Sequence, residues 1–226
     1  MIQLQNIEKS YNGERVLKGV SLEIRDGEFV SIMGESGSGK STLLSILGGF
    51  LAADGGKVLW DGKDIGALSE KELSALRCDK MGFVFQSYQL IQTLNVKDNL
   101  LLPTVLGKKL SEKTEKHIGR LVADLEIEPL LEKFPDQLSG GQCQRVAIIR
   151  ALAYSPAVVI LDEPTGALDS RMEKKVMELL ARLNREKKTT IVQVTHSQRV
   201  AAYGGRTIYL ADGEVDASSE NGAAKK

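Results

Sequence analysis

A chain of 226 residues, 42% hydrophobic and 27% charged, has room for one domain with an inserted lobe and too many apolar residues for general disorder. Its 30 basic and 30 acidic side chains cancel, which speaks against a protein held to nucleic acid by a basic face. Cys78 and Cys143 are too few for a disulfide scaffold and have no histidine at metal-ligand spacing, so they read as reduced thiols of a cytosolic protein.

In chain order, residues 2–7, 20–24 and 57–60 read as strands punctuated by the turn pairs Asn12-Gly13, Asp26-Gly27 and Asp61-Gly62, giving a small antiparallel sheet. Residues 29–33 form an apolar strand that runs into a glycine-rich loop at 34–39, and 40–47 continues as a helix. From about 87 to 155 strand signals fade and helical ones dominate, as in an inserted helical lobe. The runs 158–161 and 189–194 are continuous apolar stretches, as expected of strands buried on both faces. Between them, Met172, Val176, Leu179, Leu180 and Leu183 fall at helical spacing in 171–187. This alternation predicts an α/β fold with a mainly parallel sheet, a single domain over 1–216 and a flexible tail at 217–226. No apolar run approaches the ~20 residues of a membrane-spanning helix. The first ten residues are too polar for a secretory leader, and no further domain is expected beyond the tail.

The strongest motif is Gly34-Glu35-Ser36-Gly37-Ser38-Gly39-Lys40-Ser41, between a strand and a helix. Glycines let several N–H groups turn inward on a phosphate chain, and the following helix adds the positive end of its dipole. Lys40 is placed to reach the outer phosphates and Ser41 to offer a hydroxyl to Mg²⁺, with Thr42 next in line. A second acidic element closes Val158-Val159-Ile160-Leu161-Asp162-Glu163. Asp162, at the end of a buried strand, suits Mg²⁺ binding through water, and Glu163 suits orientation or deprotonation of an attacking water. A third element, Leu138-Ser139-Gly140-Gly141-Gln142, opens a helix with a serine and bare N–H groups, making a second anion site. One chain with a phosphate loop has no obvious need of a second, unless this one completes the pocket of a partner molecule.

With these elements in this order the sequence resembles the ATP-binding cassette family over nearly its whole length. Residues 34–41 match its Walker A loop, 158–163 its Walker B strand with the following glutamate, and 138–142 its signature motif. Gln86 in Gly82-Phe83-Val84-Phe85-Gln86 resembles the Q-loop glutamine, Ala167-Leu168-Asp169 the D-loop, and His196 in Val194-Thr195-His196-Ser197 the switch histidine. Tyr11 sits where the family stacks an aromatic ring on adenine. His117, in a charged helical stretch, is read as structural. Cys143 departs from the charged or amide residue usual after the signature glutamine, with little expected consequence.

The resemblance implies a P-loop NTPase core with an N-terminal antiparallel β lobe and an inserted helical lobe. It implies ATP and Mg²⁺ as cofactors and a head-to-tail dimer in which the Walker A loop of one copy faces Ser139 to Gln142 of the other. Glu163 and His196 would act in hydrolysis, with Asp162, Ser41 and Gln86 around the metal and Asp169 at the dimer contact. A membrane-spanning permease subunit would dock on the helical lobe, holding the chain at the inner face of the membrane. The wording around 82–90 and 163–170 resembles the subgroup serving lipoprotein release, macrolide export and antimicrobial-peptide resistance in bacteria. Two alternatives share the motifs. One is a regulatory cassette of a signalling or division complex. The other is a soluble ATPase of translation or DNA repair, disfavoured by the single cassette and the lack of sustained heptads.

Overall fold

Every residue of Phe29–Met33 (β3) is buried, and a strand dry on both faces needs a neighbour on each edge and cover on each side. Parallel to it lie Thr190–Val194 (β8) on one edge and Arg206–Ala211 (β9) on the other. Val158–Asp162 (β7) pairs in parallel with β8, and Met81–Val84 (β6) with β7. Glu214–Val215 (β10) joins β9 in the antiparallel sense. The sheet order is therefore β10-β9-β3-β8-β7-β6. The computed structural model describes residues 1–216, and the tail expected at 217–226 lies outside them.

Ile2–Tyr11 (β1) and Glu14–Ile24 (β2) form a hairpin whose turn residues, Asn12 and Gly13, both have positive φ, 51° and 86°. That is the turn geometry matching strand twist. Gly55–Trp60 (β4) and Lys63–Asp64 (β5) repeat the device at Asp61-Gly62. The four strands make the expected antiparallel sheet in the order β2-β1-β4-β5. β2 begins at Glu14 rather than Val20, because Glu14, Arg15 and Lys18 on its outward face conceal the alternation. β9, β10 and Glu70–Lys80 (α2) also lie outside the sequence-based expectations. α2 buries no side chain and is defined instead by a capping box, Ser69 with Glu72.

The two faces of the parallel sheet serve different neighbours. Val30, Ile32, Ile160, Val192 and Val194 face the N-terminal sheet and Lys40–Leu47 (α1), which buries Leu43, Leu44, Ile46 and Leu47. Phe29, Val159, Leu161 and Ile191 face the other way. There they meet Val96–Leu106 (α3), Glu112–Asp124 (α4) and Gly140–Leu152 (α5), which run between β6 and β7, and Ser170–Lys187 (α6). Leu100, Ile118, Val146, Val176 and Leu180 belong to this one core. Across its surface Glu126 takes hydrogen bonds from Arg171 and Lys175 of α6, which hold its carboxyl down at about 2. His117 of α4 places Nε2 3.2 Å from the Leu152 carbonyl, and burial lowers its pKa. Its role is structural.

Candidate functional site

β3, β7 and β8 run parallel, so the loops that leave them open at one edge of the sheet, where ligands bind in α/β folds. The loop after β3 is wedged between β9 and β2. A Cβ on Gly34 would lie 2.1 Å from the Leu210 carbonyl oxygen. Gly39, at the N-cap of α1 with φ +97°, would bring one within 2.8 Å of Leu17 Cδ2. Only glycine fits at either place. Gly34→Ala is accordingly expected to lose about 1–3 kcal/mol of stability through overpacking and nucleotide binding with it. A thermal melt and a nucleotide titration check both.

Lys40 folds back over the loop. Its Nζ donates to the carbonyls of Gly34, 3.0 Å, and Glu35, 2.5 Å, with Ser38 Oγ at 3.4 Å. Ser38 is buried while Glu35 is exposed. Beside the loop, Asp162 is buried at the end of β7 and its Oδ1 has no hydrogen-bond partner among the described residues. Burial pushes its carboxyl above the usual carboxylate range; the Ser41 hydroxyl opposes that rise, neighbouring Glu163 adds to it, and Lys40 also opposes it. An orphaned carboxylate oxygen next to a hydroxyl is a donor set for a hard cation that keeps part of its water shell.

Glu163 follows in the left-handed region at φ 49°, a strained backbone of the kind found at active sites. Its N–H donates to the Val194 carbonyl at 3.1 Å. Its Oε1 lies 3.0 Å from Nδ1 of His196, which is itself largely exposed. Together these groups wall a cavity of about 660 Å³. The loop residues from Gly34 to Thr42 contribute to its lining, together with Gln86, Asp162, Glu163 and His196.

Several candidates stand elsewhere. Tyr11 is exposed at the end of β1, with Lys9 Nζ 5.9 Å from its ring centroid, and is not part of the cavity wall. Ser139, Gly140, Gly141 and Gln142 lie outside the cavity at the start of α5. Ser139 Oγ accepts from Gln142 N–H while the Gln142 side chain accepts from Ser139 N–H. Asp169 caps α6 by accepting from Met172 N–H at 2.9 Å. Cys143 is turned inward, its Sγ 3.8 Å from the Pro135 carbonyl. Conversely, Val16, Tyr88, Gln144, Gly166, Ala167 and Val194 also line the cavity. Ala167 and Val194 belong to the stretches matched around Asp169 and His196, and Tyr88 and Gly166 to the wording at 82–90 and 163–170, whereas Val16 and Gln144 carry no motif of their own.

A glycine loop on a helix N-terminus, a lysine, a buried acid and a second carboxylate against a histidine define a nucleotide-hydrolysing cassette. Residues 17–166 match the family model described as ABC transporter, and the chain belongs to that family. Over 224 residues it is 47% identical to the uncharacterized ABC transporter ATP-binding protein MJ0796 of Methanocaldococcus jannaschii, covering 96% of this chain and 95% of that one. The dimeric structure of that cassette in a post-hydrolysis state bound to ADP and Pi superposes with a TM-score of 0.90, at 45% identity, covering 96% of this chain and 97% of that one. The lipoprotein-releasing system ATP-binding protein LolD of Aquifex aeolicus is 45% identical over 95% of this chain and 96% of its own length. The bacitracin export ATP-binding protein BceA of Halalkalibacterium halodurans is 40% identical over 95% and 87%. The expected subgroup, ATP binding and ATPase activity agree with these relatives.

Proposed function

We propose that the chain is the ATP-hydrolysing subunit of a bacterial ABC transporter, working as a pair of copies on a separate membrane subunit in export, lipoprotein release or antimicrobial-peptide resistance. The observation that carries this reading is the placement of residues 139–142. They form an anion-binding helix start that is exposed at Ser139 and Gly140 and does not line the cavity of its own chain. A second copy, related head to tail, gives that helix start an ATP to meet. The dimeric post-hydrolysis form of the Methanocaldococcus jannaschii relative supports the pairing.

Within each site the loop N–H groups and Lys40 neutralise phosphate charge, which preorganised donors do at little reorganisation cost. Ser41, Asp162 and Gln86 would hold Mg²⁺, which would add charge neutralisation at the phosphates. Glu163 takes the proton of the attacking water, and His196, hydrogen-bonded to Glu163, faces the terminal phosphate. Tyr11 stacks on the adenine, and Asp169, beside the helix start of α6, meets the second copy. Closure of the pair on ATP and opening after phosphate release is the motion passed to the membrane partner. Among the described residues no helix is long and apolar enough to cross a membrane, so the partner supplies that element and holds the chain at the inner face.

The test is isolation from the native cells in mild detergent, with identification of the membrane protein that accompanies the chain. A partner with few transmembrane helices and a large extracytoplasmic domain is expected. A partner made almost wholly of transmembrane helices would overturn the subgroup, and purification without any membrane protein would overturn the transporter reading.

A further inference from the structure

Gln144 lies one turn into α5, only 2% exposed, in the wall of the nucleotide cavity. Its Nε2 is buried and has no hydrogen-bond partner among the described residues. A dry amide donor is costly to leave unpaired, and a single apolar side chain of the same length would remove that cost. The surroundings show where an acceptor stands. α5 is pressed against the segment that follows β7: a Cβ on Gly141 would lie 2.7 Å from the Ala167 carbonyl oxygen, so that oxygen faces the helix. Gly141 and Gln144 are three residues apart and share a face.

That segment also carries Glu163, itself in left-handed backbone. Its ties include the Glu163 N–H to the Val194 carbonyl at 3.1 Å, the Gly166 N–H to the Glu163 carbonyl at 3.3 Å and the Leu168 N–H to the Thr165 carbonyl at 3.0 Å, while Gly166 and Ala167 stay exposed. A carboxylate on such a segment needs a further anchor to hold a water in line. We infer that Gln144 is a positioning residue for hydrolysis: when the cassette engages ATP, its side-chain amide donates to the main chain of 163–167 and fixes Glu163 relative to α5. The unpaired Gln144 donor is the open half of that contact.

Gln144→Met and Gln144→Leu test this, read by melting temperature without nucleotide and by steady-state ATP hydrolysis of the full chain. Both variants are expected to melt at or above the parent temperature. At the same time kcat falls at least tenfold while KM for ATP changes less than about threefold, since the ground-state phosphate contacts are untouched. Turnover within twofold of the parent would overturn the inference. A melting temperature that drops together with kcat in both variants would assign Gln144 to packing, and a rise in KM at unchanged kcat would assign it to nucleotide binding. Either result also overturns the positioning role.

Discussion

Replacement of Glu163 by glutamine is expected to slow ATP turnover by about two to four orders of magnitude, the usual contribution of a placed general base, while ATP binding survives. The substitution keeps size and shape, and the loop residues that line the cavity between Gly34 and Ser41 are separate from the altered atom. What changes is the proton acceptor. In the parent, Oε1 lies 3.0 Å from His196 Nδ1 at the cavity wall; an amide there can still hydrogen-bond but takes no proton from water at neutral pH. If closure of the pair is driven by ATP and release by hydrolysis, the variant accumulates as a dimer in the presence of ATP, seen as earlier elution on size exclusion. Phosphate release measured alongside decides the matter, because an unchanged rate would remove Glu163 from catalysis whatever the elution profile.

The second large effect belongs to Lys40→Ala. Its ammonium straps the loop, bonding the carbonyls of Gly34 and Glu35, and in the proposed function it also offers charge to the phosphates. Alanine deletes the charge and the strap together. With hydrogen bonds to a charged group worth about 1.5–3 kcal/mol each, loss of two between the ammonium and phosphate oxygens corresponds to roughly a hundredfold or more in affinity. A fluorescent ATP analogue titrated against parent and variant reads this directly, and undiminished affinity would contradict the assignment. The two substitutions separate the chemistry cleanly: the first leaves binding and stops turnover, the second removes both.

How far the sequence alone reached depends on how local each signal was. The loop at 34–41 and the acids at 162 and 163 announce themselves because strand, turn and helix follow within a few residues, so chemistry and local structure share one stretch of chain. α2 escaped notice because only Leu73 and Leu76 turn toward the core and neither is fully buried, too short an apolar period to stand out; its capping pair, Ser69 and Glu72, was the available signal. β9 escaped for another reason. Ile208 and Leu210 alternate with Thr207 and Tyr209 as in a half-buried strand, but its place beside β3 is fixed by a pairing across most of the chain. Val16 and Gln144 reach the cavity only through such tertiary placement. Tyr11, matched by position alone, stands exposed away from the cavity wall, since sequence order says where a ring is attached and not where it rests.

The core shared by α3, α4, α5 and α6 bears on how such a protein can be recombined. A segment bounded by β6 and β7 looks like a removable insert, with both ends on neighbouring strands. Yet Leu100, Ile118 and Val146 close over the same apolar surface as Val176 and Leu180, and Arg171 and Lys175 answer charges on the far side of the seam. A chimera that exchanges 87–155 between relatives therefore splits a matched surface unless α6 travels with it. The unit of inheritance for partner choice is then longer than the helices that would touch the partner, and it extends past Glu163.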